Sequence, residues 1–352
     1  MPAPTKPYQP YAAVHEKTSG PGDARPTAKQ IVKDLNKVGA LKGRTAIITG
    51  CSAGIGVETA RAMYETGATL FLTARDVPKL EKIIDDIVAK ADVKDVPRPQ
   101  ALEIHLDDLA SVRAGAETFK TKANGQLSFL INNAGVMAAP YGKTKDGFET
   151  QIGVNHFAHF LLFQLLKPLL LSTAKATGTT SRLINVSSAG HRRTPVVFSN
   201  KAELDAWNAG EGYDKWLAYG NSKTANIWMA SSVSRHYSAQ GLIGLSVHPG
   251  GIVTTSLGRH MTDDDHKLLK LDDWGHLFKT GEQGAATTLW AALTDHYEGK
   301  EGGVYLNDVG EAGAMATPPV PGSSGYVAHA YDEAKEEGLW KLSYEALGLK
   351  ED

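Results

Sequence analysis

The chain has 352 residues, 42% of them hydrophobic and 22% charged, a balance that excludes a disordered or wholly membrane-embedded protein. Lys and Arg number 37 against 39 Asp and Glu, a net charge of -2, so the broadly basic face on which nucleic-acid affinity rests is missing and no nucleic-acid partner is expected. One cysteine rules out an internal disulfide and fits a reducing compartment, for which the cytoplasm is the expectation.

Residues up to Pro26 are rich in Pro, Gly and polar side chains and hold no apolar stretch of the secretory kind, so they read as an arm with little core of its own. In TAKQIVKDLNKVGAL, from Thr27, residues Ile31, Val32, Leu35 and Val38 fall at helical spacing and predict a short helix docked on the body. The arm and this helix make up residues 1–40. From Thr45 the pattern becomes apolar, β-rich runs alternating with longer helical stretches. The runs cover 45–49, 69–74, 101–106, 127–132, 182–187 and 243–248, with a helix over 55–66 and another through KLEKIIDDIVAK. That alternation predicts an α/β fold, a doubly wound parallel sheet with helices on both faces, as a single domain over 41–310. FLLFQLLKPLLL, from Phe160, is too short to cross a bilayer and is interrupted by Lys167 and Pro168, so it predicts a buried helix and no integral membrane segment. In the extension 311–352, Leu339, Leu342 and Leu347 form an apolar stripe expected to cap the fold or to meet another subunit.

TGCSAGIG, Thr49 to Gly56, joins the first strand to the first long helix. Glycines there let backbone amides approach a phosphate, and the helix N-terminus adds a favourable partial charge, so Gly50, Ser52, Gly54, Ile55 and Gly56 are candidates for holding a dinucleotide pyrophosphate. No Lys-Ser/Thr pair follows, which disfavours a nucleoside triphosphatase. Arg75 ends the second strand where an acid would bond the ribose of NAD. An arginine suits the extra phosphate of NADP, so NADP(H) is favoured over NAD(H), with Asp76 either capping the next helix or accepting from the ribose. Cys51 reads as a bystander, and bound cofactor is expected to shield it from alkylation.

YGNSK places Tyr219 and Lys223 four residues apart on one helix face. An ammonium beside a phenol favours phenolate, so Lys223 is expected to lower the pKa of Tyr219 toward that of a usable acid/base. TGCSAGIG, NNAG (132–135), VNHFAHFLL (154–162), NVSSAG (185–190), YGNSK and HPGGIVTT (248–255), in this order, resemble the short-chain dehydrogenase/reductase family over residues 41–305, which has a Rossmann-type sheet. KTGEQGAATTLWAAL and GGVYLND are similar to its retinol dehydrogenase-like and WW-domain oxidoreductase-like branch, without a WW domain. The resemblance implies Tyr219 as acid/base, Lys223 as the residue that lowers its pKa and holds the nicotinamide ribose, and Ser188 as the residue that orients the carbonyl or hydroxyl. It also implies Asn155 as the support of a proton relay through water. For the cofactor it implies Asn132 and Gly135 near the adenine ribose, His105 and Leu106 at the end of the third strand, and Pro249, Gly250, Ile252 and Thr254 beside the nicotinamide amide. Which of His105, Asp107 and Asp108 reaches adenine stays open.

The 31 residues between Ser188 and Tyr219 are expected to form a loop beside the pocket, with Val196, Val197, Phe198, Trp207 and Trp216 either lining it or anchoring the loop. His156 and His159 read as packed or locally hydrogen-bonded, so no metal site is expected, and 259–267 reads as a solvated lid. The expected activity is NADP(H)-dependent carbonyl reduction or alcohol oxidation on a moderately large apolar molecule. The alternatives are an isomerase without net cofactor turnover or an NADP(H)-sensing binding protein. Helices around Asn155 and Tyr219 are implied as a possible homodimer interface, unless the arm blocks it.

Overall fold

The computed structural model describes residues 6–252, 255–269, 271–316 and 324–351. In chain order its main elements are α1 (Ala28–Asp34), β1 (Thr45–Ile48), α2 (Ile55–Tyr64), β2 (Thr69–Ala74), α3 (Val77–Ala89), β3 (Gln100–Glu103), α4 (Leu109–Lys122) and β4 (Phe129–Asn132). Then come α5 (Ala158–Thr177), β5 (Ser181–Val186), α6 (Lys201–Ala209), α7 (Lys215–Tyr237), β6 (Leu242–Val247), α8 (Asp263–Leu268), α9 (Ala286–Leu293), β7 (Tyr305–Asn307), β8 (Gly310–Glu311) and α10 (Glu333–Ala346).

The strands form one sheet in the order β3-β2-β1-β4-β5-β6-β7-β8. β1 to β7 pair in parallel, and β8 returns antiparallel to β7. Because side chains alternate across a strand, each strand feeds two cores. Ile47, Phe71 and Leu130 are register neighbours and point into the core shared with α4, α5 and α7. Ala46, Ile48, Leu70, Leu72 and Ile131 point the other way, to α2, α3 and α9, with Ile31 and Val32 of α1 in the same core. This two-sided burial explains why the strands read as continuous apolar runs. Aspartates open four of the helices: Asp76, Asp108, Asp214 and Asp332 accept from amides in the first turns of α3, α4, α7 and α10. Each such cap is worth about 1 kcal/mol. The order reverses at β1 and β4, so the loops leaving their C-terminal ends diverge and leave a crevice, where ligands of such sheets bind.

Several boundaries differ from the sequence reading. β3 stops at Glu103 because Asp108 already caps α4 and the His105 amide donates to Ser111 Oγ. Val38 is 49% exposed, since α1 ends at Asp34. The boundary at 310 falls inside β8. The apolar helix is longer than its apolar run: an α-helical turn (Thr150–Ile152) and a π-helical turn (Gly153–Phe157) precede α5, giving a helical stretch over 150–177 that is long and apolar enough to cross a membrane by length and composition. In this fold it is a core helix, with Leu161, Leu162, Leu166 and Leu170 buried and the Lys167 ammonium donating to Tyr237 Oη at 3.1 Å.

Candidate active site

The glycine loop lies against the loop after β4 with no room for side chains. A Cβ on Gly50 would stand 2.8 Å from Ala134 Cα, and one on Gly56 would stand 2.3 Å from the Gly50 carbonyl oxygen and 2.5 Å from Asn133 Nδ2. Asn133 holds the two loops together by donating from Nδ2 to the Thr49 carbonyl at 2.8 Å, while its buried Oδ1 has no partner. Bare backbone amides at the N-terminus of α2 and an orphaned acceptor beside them give the polar groups and shape that a dinucleotide needs. Gly50, Ser52, Gly54, Ile55 and Gly56 line a cavity of about 1150 Å3, together with Leu106, Gly135, Pro249, Gly250 and Ile252. Arg75 lines it too and has no ion-pair partner among the described residues, whereas Asp76 is occupied as the cap of α3, its Oδ1 taking the Lys79 amide at 2.9 Å.

Three assignments change. Asn132 is buried behind the sheet end, donating to Asn185 Oδ1 at 2.9 Å, and it is Asn133 that reaches the cavity. His105 turns outward to Glu103 Oε1 at 2.9 Å, and its neighbours Ile104, Leu106 and Asp107 line the wall. Cys51 faces the core, donating to the Ile48 carbonyl, and burial pushes its thiol pKa up, so protection from alkylation comes from the fold itself. Thr254 lies outside the described residues.

Ser188, Tyr219 and Lys223 open onto the same cavity. Ser188 follows β5 and its Oγ accepts the Gly190 amide at 3.0 Å. Its carbonyl is held by His191 Nδ1 at 2.7 Å. Gly190 is pressed against the phenol: a Cβ there would lie 2.8 Å from Tyr219 Cε1. Lys223, one turn along α7, donates to the Val186 carbonyl at 2.9 Å, and its Nζ sits 5.6 Å from the centre of the Tyr219 ring. The expected acidification of the phenol is not what these groups produce. Burial pushes Tyr219 up to about 12, opposed by a hydrogen bond with Ser188, and burial pushes the Lys223 amine down to about 8. Asn155 lies in the π-helical turn, a local geometry often found at functional sites. Its Oδ1 accepts the Val136 amide at 2.8 Å and its Nδ2 donates to the Val136 carbonyl and to Ser222 Oγ, so the carboxamide braces the loop after β4 against α7. His159 Nδ1 reaches the Asn155 carbonyl at 3.0 Å and its Nε2 meets Thr49 Oγ1 at 2.9 Å, while His156 bonds Ser343 Oγ at 2.9 Å. Both histidines are thus buried and hydrogen-bonded, but only the His159 contact with Asn155 is local; Thr49 and Ser343 are distant partners.

Much of the remaining wall comes from segments the sequence reading kept apart from the site. His15, Thr18 and Arg25 of the arm line the cavity. Arg25 is buried and donates to the carbonyls of Gly20, Leu277 and Phe278, bolting the arm to the segment before α9. No local signal marks these residues, because the partners of Arg25 other than Asp23 and Gly20 lie some 250 positions away in sequence. Lys279 and Asp308, 2.9 Å apart, and His248 complete that side. Of the loop between Ser188 and Tyr219, Val196 and Phe198 anchor it in the core and Val197 is exposed. Trp207 packs on Phe198, and Trp216 packs beside Tyr219 without lining the cavity, with Met137, Met261 and Leu269 near. The segment 259–267 does form a lid on the cavity, fastened where Asp265 takes Trp216 Nε1 at 2.9 Å and pairs with Lys215. α10 packs across α5 and the C-terminal end of α7: Trp340 stacks on His236 and packs edge-on to Phe160.

A bare-backbone crevice for a dinucleotide that opens beside a buried Ser-Tyr-Lys cluster defines a nicotinamide-dependent oxidoreductase. A profile of the short chain dehydrogenase family matches residues 44–200. The chain is 43% identical over 346 residues to short-chain dehydrogenase/reductase prx1 of Penicillium roqueforti, covering 97% of this chain and 96% of that one. It is 36% identical over 314 residues to human retinol dehydrogenase 11, covering 89% and 88%. A crystal structure of an uncharacterized protein from Mycobacterium paratuberculosis superposes with a TM-score of 0.64 at 30% identity, over 90% of this chain and 97% of that one. The chain therefore belongs to the short-chain dehydrogenase/reductase family, in its retinol dehydrogenase-like branch.

Proposed function

We propose that this protein is an NADP(H)-dependent carbonyl reductase or alcohol dehydrogenase for a moderately large apolar molecule. The observation that carries the reading is the meeting of Ser188, Tyr219 and Lys223 in the cavity that the glycine loop also lines. The loop residues 50–56 would hold the pyrophosphate, Arg75 the additional phosphate, and Lys223 the nicotinamide ribose. When bound, the nicotinamide supplies or accepts the hydride. Ser188 Oγ orients the substrate oxygen and Tyr219 Oη gives it a proton. Held by burial at about 12, the phenol is protonated at neutral pH, the state a proton donor needs. Met137, Met261 and Leu269, which line the cavity beside the phenol, favour an apolar substrate. Asp76 is committed to capping and Arg75 is unpaired, which supports NADP(H) over NAD(H). The single buried thiol accords with a cytoplasmic location.

The test is NADPH consumption across a panel of apolar ketones and aldehydes. Tyr219→Phe, checked for an unchanged fold, should lose roughly 100- to 10,000-fold in kcat. Undiminished turnover by that variant, or product without cofactor consumption by the wild type, would remove the reading.

A further inference from the structure

A two-residue turn carries the next step. Asn307 of β7 pairs with Gly310 of β8, and only Asp308 and Val309 join them. Both have positive φ, 50° and 61°. That is the backbone of a type I′ turn, which Asn-Gly makes freely and which a β-branched valine resists. Strained backbone of this sort gathers at binding sites. Here it holds the Asp308 carboxylate on the cavity wall, with a third of the side chain (33%) open. Lys279 Nζ, itself buried, donates to Oδ1 at 2.9 Å, and Asn307 Nδ2 lies 3.3 Å from Oδ2. The charge is therefore compensated while part of the acceptor capacity is left over, since a carboxylate accepts about four hydrogen bonds.

His15 of the arm stands next to it. Its Nδ1 is 2.9 Å from the Tyr11 carbonyl. A carbonyl only accepts, so Nδ1 carries the hydrogen. The side chain is 9% exposed, lines the cavity, and its Nε2 has no hydrogen-bond partner. Burial holds the ring toward its neutral form, the Tyr11 hydrogen bond and Asp308 opposing and Lys279 and Arg25 assisting, which leaves the buried lone pair of Nε2 without a partner. Nε2 and Asp308 Oδ1 are then two acceptors 3.8 Å apart, an arrangement that is satisfied by a donor shared between them.

We propose that Asp308 and His15 form an acceptor subsite of the cavity that receives an N–H or O–H donor of the bound small molecule, so that the N-terminal arm contributes directly to ligand recognition. This rests on the cavity being the nicotinamide and substrate site. Two sources offer such a donor, the carboxamide N–H of the cofactor and a hydroxyl of the substrate.

The experiment uses the full chain as wild type, His15→Phe, His15→Gln and Asp308→Asn. NADP+ and its 3-acetylpyridine analogue, which lacks the amide N–H, are titrated against tryptophan fluorescence. KM is measured for a pair of apolar ketones differing by one hydroxyl. If the donor is the carboxamide, wild type prefers NADP+ to the analogue by roughly tenfold, the worth of one charge-assisted hydrogen bond, and His15→Phe and Asp308→Asn lose that preference. If it is a substrate hydroxyl, nucleotide binding is unchanged and the same variants lose a similar preference for the hydroxylated ketone. His15→Gln, which keeps an acceptor, retains part of either preference. The proposal falls if His15→Phe and Asp308→Asn, folded as judged by Tm, discriminate both pairs as the wild type does, or if the wild type discriminates neither. Should His15→Phe not fold, Asp308→Asn and His15→Gln decide alone. A wild type that binds no nicotinamide nucleotide contradicts the functional reading first, and is read from the titration before any variant is compared.

Discussion

The two ends of this chain attach to the same body by opposite means. The N-terminal arm is held by directed polar contacts: the Tyr8 amide donates to Glu311 Oε2 and the Glu311 amide to the Tyr8 carbonyl, Gln283 receives the Gly22 amide, and Arg25 spreads its guanidinium over three carbonyls. α10 is held by burial: Leu339, Trp340 and Leu342 vanish into the core with α5 and α7, and the carboxylate of Glu336 is paired with Arg235 at 2.7 Å. The arm builds part of the cavity wall, and α10 contributes nothing to it. Removing an end should therefore have consequences of different kinds, one on ligand binding and the other on the folded state.

The largest contrast is expected from truncation. Without residues 1–26 the protein should lose 100-fold or more in kcat/KM, because the arm's part of the wall and the anchor of the 271–279 segment go together, an effect of about 3 kcal/mol. Without residues 333–352 it should aggregate or melt early while still binding NADP(H) at low temperature. Size-exclusion chromatography, a thermal melt and nucleotide titration on both truncations would settle it, and equal loss of binding in both would break the comparison. Next, Trp340→Ala should cost about 3–5 kcal/mol of stability by denaturant unfolding, with KM unchanged. A smaller effect is expected for Arg25→Met, about tenfold in KM through a loosened segment before α9, with a fall in Tm smaller than that of Trp340→Ala.

The smallest effect concerns the body between the two ends. Burial lowers the Lys223 pKa from 10.5 to about 8 in the folded state, so between those values the unfolded chain binds more protons than the folded one and stability rises with pH. Below pH 8 the full penalty of burying the ammonium is present. Lys223→Met should be more stable than wild type at neutral pH and should lack the alkaline gain, which melts from pH 7 to 10.5 would reveal.

The same contrast explains what was legible in the sequence. The sheet, both helical layers and the stripe of α10 follow from periodicity, since Ile47 and Ile48 or Leu339 and Leu342 declare their faces by spacing alone. The glycine loop and Tyr219 with Lys223 were legible because each is a local pattern. Asn132 and His105 were misplaced by one position each, and at a strand end one position is the difference between the cavity and its back. The arm was not legible at all. Its Pro- and Gly-rich composition says that it has no core of its own, which is true, but not that its hydrogen-bond partners, Leu277, Phe278, Gln283 and Glu311, wait far along the chain. The phenol's ionisation escaped for another reason: spacing gives the neighbour but not the burial, and burial dominates.

The sealed position of Cys51 has a practical corollary. With the only thiol enclosed behind β1, the native surface is silent toward maleimide chemistry, and a single cysteine introduced on α8 would accept a fluorophore or spin label without a cysteine-free background having to be made first. A second label on the arm would turn the gap between lid and arm into a distance that can be followed through a catalytic cycle.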